Sequence, residues 1–263
     1  MTKNLKYFKP QQEDSKIRKI ILNHFQDYAQ NGKWNDKYLS LKQENFGFWL
    51  RMKRFEYFLK KIDISSVVDI GCGTGNYLTI LPKKIKSYLG LDFSQKMIDF
   101  AKNNFKKNNY KELKIDFKKF DILNESTQQK FDAAVCSGLI EYFENPNKVI
   151  KRIIHFINKD KYLLIQFPNS DYLSWGRKYK PSPGKKFMHN RFTYKEAKEI
   201  IEKNCKVLKI DFYSFNFFSF IKVKIPFLFL ISFILEISLK NFLPISIKKR
   251  IAKNFIILAK KSA

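Results

Sequence analysis

Ser66-Val-Val-Asp-Ile-Gly-Cys-Gly-Thr-Gly75 carries an apolar run straight into a turn built on alternate glycines. A short apolar run that stops at glycines reads as a buried strand. Gly71, Gly73 and Gly75 suit a turn that needs unusual backbone angles and lets the main chain approach a ligand closely. With a helix following, Asp69 and these glycines stand at the carboxyl end of a strand, where open parallel sheets bind their ligands.

Working outward, Tyr77–Ile85 reads as a short helix and Tyr88-Leu-Gly-Leu-Asp92 as the second strand. Asp92 ends that strand 21 positions after Gly71, from which a carboxylate accepts hydrogen bonds from ribose hydroxyls. Ser94 is placed to cap a helix over Ser94–Asn108, with Met97, Ile98 and Ala101 on its apolar face. Strands follow at Leu113–Lys118, Phe131–Cys136 and Tyr162–Phe167, with a helix over Asn147–Ile157. Beyond a polar, loop-like stretch from Asn169 to Asn190, Thr193 precedes a helix over Tyr194–Asn204. Val207–Tyr213 and Asn254–Ala259 read as the last two strands. Strands alternating with helices predict a Rossmann-like, doubly wound α/β fold with a mainly parallel seven-stranded sheet. Residues 1–62 are expected to form a helical cap and 63–263 the main domain, with an apolar insert at 214–251.

A lone glycine loop is weak evidence, but its order with the other segments is not. Val67–Asn76 resembles the first motif of class I methyltransferases, and Leu89–Met97 their second. Phe120-Asp-Ile-Leu123 resembles the third and Phe131–Tyr142 the fourth; the match runs from about Phe46 to Asn169. The resemblance implies S-adenosylmethionine as cofactor and a role for each matching residue. Asp69 and the backbone of Gly71, Cys72, Gly73 and Gly75 would hold the methionine portion, with Ser137 beside it. Asp92 would take the ribose, Phe93 and Met97 would flank the adenine, and Asp121 would accept from its amino group beside Ile122. Met97 read as helix core, and Asp121 read as a turn cap, are the plainer alternatives. A nicotinamide fingerprint wants a small residue three positions after Gly73, where this chain has Asn76.

The sulfonium activates its own leaving group, so the protein mainly aligns reactants, and a base is needed only for an acceptor such as a hydroxyl. Glu141 and Tyr142 after the fourth strand, and His189 before the Thr193 cap, are the candidates. His155 reads as a helix packing residue, and His24 carries no signal. Related small-molecule enzymes often carry a histidine near Glu141 or Tyr142, which is missing here. Cys136-Ser-Gly-Leu-Ile140 stands where base-amine methyltransferases carry an Asn/Asp-Pro-Pro-aromatic motif, so nucleic acid is disfavoured as the acceptor. A methyltransferase acting on RNA or protein, and a non-catalytic binding protein, remain the competing readings.

The net charge of +27 rests on lysine, with only seven arginines. A coding bias towards lysine explains much of it, but Tyr172 to the end holds 20 Lys/Arg against 5 Asp/Glu. That asymmetry points to an anionic partner there. Pro226–Leu239 is the most apolar segment, shorter than a membrane span and interrupted by Glu236. Lys222 and Lys224 precede it, and Lys240, Lys248, Lys249 and Arg250 follow. Such a segment suits a helix at a membrane interface, a lid over the substrate pocket, or a dimer contact. Each favours a small, apolar or lipid-linked acceptor. Cys72, Cys136 and Cys205 show no metal-ligand spacing, no metal is expected, and the opening residues hold no signal-peptide core. The expected setting is the cytoplasm, with possible attachment to the inner face of the membrane.

Overall fold

The computed structural model describes residues 14–30, 38, 45–106, 112–173, 190–217 and 228–262. His189, Lys222, Lys224 and Pro226 therefore lie outside the described residues. Helices α1 (Asp14–Gln30) and α2 (Phe46–Lys61) precede the sheet. The sheet strands are β1 (Ser66–Ile70), β2 (Ser87–Asp92), β3 (Lys114–Lys119), β4 (Phe131–Cys136), β5 (Ile157–Pro168), β6 (Cys205–Phe215) and β7 (Ala252–Lys261). Between them lie α3 (Gln95–Lys106), α4 (Pro146–His155), α5 (Tyr194–Glu202), α6 (Leu228–Leu239) and α7 (Ile245–Ile251).

The strand order is β3-β2-β1-β4-β5-β7-β6. β1 through β5 pair in parallel, while β7 runs antiparallel between β5 and β6. The order reverses between β1 and β4, which places the switch point beside the glycine turn.

Alternation along the strands explains why the sheet is buried on both faces. Val68, Ile70, Ala134 and Cys136 face a core completed by Val149, Ile150 and Ile153 of α4 and Ala197 and Ile200 of α5. Val67, Ala133 and Val135 face the opposite core, filled by Phe55, Phe58 and Leu59 of α2 and Ile98 and Ala101 of α3. Burial on both faces is what lets parallel strands read as continuous apolar runs.

Local signals fix the helix ends. The Ser94 hydroxyl accepts from the Met97 amide at 3.3 Å, as expected of a cap. Thr193 and Glu196 form a reciprocal capping box at the start of α5. The expected helix over Tyr77–Ile85 is instead a 3-10 turn confined to Asn76–Ile80. Pro82 explains the difference, because it pushes the preceding residue out of helical conformation, and Leu81 is extended.

Candidate functional site: a cavity at the strand ends

The turn after β1 is held from below. The amides of Gly71 and Cys72 both donate to the Leu91 carbonyl, at 2.7 and 3.0 Å, tying the turn to the end of β2. Gly71, Gly73 and Gly75 all have positive φ, a region that costs other residues strain. Gly75 is restricted by space as well, since a Cβ there would lie 2.8 Å from the rings of Phe105 and Phe117.

Asp92 links this turn to the cavity. One carboxylate oxygen accepts from the Gly73 amide at 2.9 Å and the other from the Ser94 amide at 2.8 Å, while the side chain also lines the cavity. Burial raises its pKa, and those two amides oppose the rise. Asp69 sits deeper. It is buried, accepts from the Tyr88 hydroxyl at 2.8 Å and is absent from the cavity wall. Burial lifts its pKa to about 7 against the pull of the Tyr88 hydrogen bond, with Asp92 adding to the rise.

The cavity has a volume of about 340 Å³, within the range of small-molecule sites. Of the residues singled out from sequence, Gly71, Cys72, Gly73, Asp92, Phe93, Met97, Asp121, Ile122, Ser137, Glu141 and Tyr142 line it. Asp69 and Gly75 do not, and so support the turn from beneath. Met97 is both core and wall, and Asp121 is both cap and wall. The Asp121 carboxylate accepts from the Leu123 amide at 3.0 Å and the Asn124 side chain at 2.8 Å while facing the cavity. Ser137 accepts from the Tyr77 hydroxyl at 2.8 Å. His189 lies outside the described residues.

Sequence reasoning missed the far wall. Helix α1 contributes Ile21, Leu22, His24 and Phe25, and the Phe25 ring meets Tyr142 edge-on at 5.4 Å. Helix α2 contributes Phe48 and Arg51, with the Arg51 guanidinium 5.2 Å from the Phe48 ring centre. A Cβ on Gly138 would lie 2.9 Å from an Arg51 terminal nitrogen and 3.9 Å from Glu141 Oε1, so both side chains converge on that bend. Burial works against the Arg51 charge, but Tyr213, Tyr38, Tyr77 and Glu141 around it raise its pKa overall. Burial likewise pushes Tyr213 up to about 12, against the lowering effect of Arg51. One signal for Arg51 was available: it is one of seven arginines in a lysine-rich chain, and it stands among aromatics.

Among the described residues no cluster of His, Cys, Asp or Glu could hold a metal ion. None of the described residues within 214–251 lines the cavity, and α1 forms part of its wall.

The sheet order, the glycine turn and the acid at the end of β2 define a Rossmann-like protein with a ligand cavity at its switch point. Residues 63–222 match the model of the methyltransferase domain, and the chain belongs to that family. Ubiquinone biosynthesis O-methyltransferase of Coxiella burnetii is 28% identical over 125 residues, covering 46% of this chain and 52% of that protein. The mitochondrial enzyme of the same name from Saccharomyces cerevisiae is 31% identical over 113 residues, covering 42% and 36%. The chain thus spans about half the length of the curated relatives it matches, or less. Magnesium protoporphyrin IX methyltransferase from Synechocystis PCC 6803, solved with bound SAH, superposes with a TM-score of 0.65 at 14% identity, over 93% of this chain and 100% of that one. A methyltransferase from Clostridium acetobutylicum superposes with a TM-score of 0.57 at 15% identity, over 90% and 99%. At such identities the superpositions speak for the fold alone.

Proposed function

We propose that this protein transfers a methyl group from S-adenosylmethionine to the oxygen of a small acceptor with a largely apolar body. The observation that carries this reading is a single cavity. It joins Cys72, Gly73, Asp92, Met97 and Asp121 on one side to Phe25, Phe48, Tyr142 and Phe143 on the other. When bound, S-adenosylmethionine supplies a methyl carbon already attached to a good leaving group.

The residues present fit that cofactor. Asp92 offers carboxylate oxygens to vicinal hydroxyls while the Gly73 and Ser94 amides hold it in place. Arg51 offers an always-charged guanidinium to the amino-acid carboxylate. Phe93 and Met97 give an aromatic ring apolar surfaces, and Asp121 and Ile122 present polar atoms to its edge. The aromatic wall excludes water and aligns the acceptor. His24 and Glu141, both in the wall, are the described side chains suited to take a hydroxyl proton. The relatives named O-methyltransferases support oxygen as the acceptor atom.

The test is transfer of an isotopically labelled methyl group to hydroxylated aromatic acceptors with apolar substituents. The expected result is turnover that needs the cofactor and falls at least tenfold in Glu141→Gln or His24→Ala, with a changed pH profile in whichever variant removes the base. Transfer to tRNA or to protein, with none to these acceptors, would reject the small-molecule reading.

A further inference from the structure

Helix α6 is turned inside out. In a helix on a protein surface, the apolar stripe ordinarily faces the core and the polar stripe faces water. Here Ser232, Glu236 and Lys240 recur every fourth residue along the inner face. Ser232 and Glu236 are only 5% and 1% exposed. The Glu236 carboxylate meets Arg54 of α2 at 2.9 Å and accepts from the Phe215 amide at 2.9 Å, and Lys240 pairs with Asp211 of β6. Phe233 packs edge-on against Phe46 and Trp49, at 5.1 and 5.9 Å. These contacts fix the helix and turn Leu230, Ile231, Ile234 and Ile237 outward, the last two 60% and 58% exposed. Directly after it in the chain, Phe242, at 84% exposed, and Ile245 and Ile247 of α7 are exposed apolar side chains as well.

We propose that this face docks on an anionic lipid surface, with α6 and α7 lying in the interface. Charge selects the occupant. Lys248, Lys249 and Arg250 close the apolar surface, and the sole acidic residue between 228 and 262 is Glu236, buried in its ion pair. A second copy would bring another strongly basic face against this one in a chain of net charge +27. Length selects the depth. Twelve residues make a helix about 18 Å long, short of the roughly 30 Å hydrocarbon core. No described helix is long and apolar enough to cross a membrane. The helix that holds α6 also reaches the cavity, since Phe46, Trp49 and Arg54 face α6 while Phe48 and Arg51 face the ligand site. Docking stands apart from the acceptor reading, and either can fail without the other.

The test is sedimentation of the full chain with vesicles of POPC and of POPC containing about one-quarter POPG, at about 0.1 M salt. The expected result is binding to the anionic vesicles alone, weakened by added salt. Replacing Lys248, Lys249 and Arg250 together with Ala should lower the partition coefficient on the order of a hundredfold. I234E with I237E should abolish binding while circular dichroism and melting temperature stay as in the unmodified chain. The salt titration uses the unmodified chain, so it decides the charge component even if a variant misfolds. Equal binding to both vesicles, no binding, or retained binding in folded I234E/I237E would overturn the proposal. A dimer seen in sedimentation velocity and lost in I234E/I237E, without vesicle binding, would assign the face to a second copy instead.

Discussion

Single residues carry the site's most specific demands. Gly75 combines a φ of 80° with a Cβ position only 2.8 Å from ring atoms of Phe105 and Phe117. Gly75→Ala should therefore cost about 1–3 kcal/mol by overpacking, read as a lower denaturation midpoint. Asp69 makes a pH prediction with a definite sign. Its folded pKa of about 7 lies above the ordinary 3.8, so folding favours its protonated form. The stability this lends is complete below pH 3.8 and is lost as pH rises through 7, about 4 kcal/mol over that span. Asp69→Asn should remove that slope from denaturant midpoints measured across the same range; an unchanged slope would mean that Asp69 is ionised throughout. The turn glycines, Asp69 and Asp92 were legible because they stand where apolar strand runs end, and Asp121 because its segment resembles a family motif. His24 was not, because α1 brings it to the site from outside the sheet with no local pattern to mark it, and Arg51 on α2 was marked only by its residue type among aromatics.

At the scale of elements, the strands were readable from apolar runs, since β1, β2 and β4 are buried on both faces. Two local effects escaped: Pro82 cut the expected helix to a single turn, and β5 begins at Ile157, where it pairs with Phe131. The apolar character of α6 was plain in sequence, but its orientation was not. Tertiary ion pairs with Arg54 and Asp211 set that orientation, and hydropathy cannot see them. Glu236→Ala strips Arg54 of its closest partner and the Phe215 amide of its acceptor, so it should cost about 3 kcal/mol, read as a lower melting temperature. Thr193→Ala, which breaks the capping box of α5, should cost about 1 kcal/mol by the same readout. A larger loss from Thr193→Ala than from Glu236→Ala would show that α6 is not held as described.

Across the whole molecule, a sheet with both faces covered leaves its functional chemistry to the strand ends and its surface chemistry to appended helices. The +27 charge alone left the partner open, because a lysine-rich background and an anionic partner give the same count. What sharpened it was placement, with cations beside an outward apolar face and away from the acids of the cavity. The central claim is that the cavity between the glycine turn and α2 holds S-adenosylmethionine, and calorimetric titration of the intact chain tests it most directly. The account predicts one site for S-adenosylmethionine and S-adenosylhomocysteine, weakened roughly 10- to 100-fold in Asp92→Ala, the loss of a charge-assisted hydrogen bond. No binding by the folded chain, or equal affinity in Asp92→Ala, would contradict it.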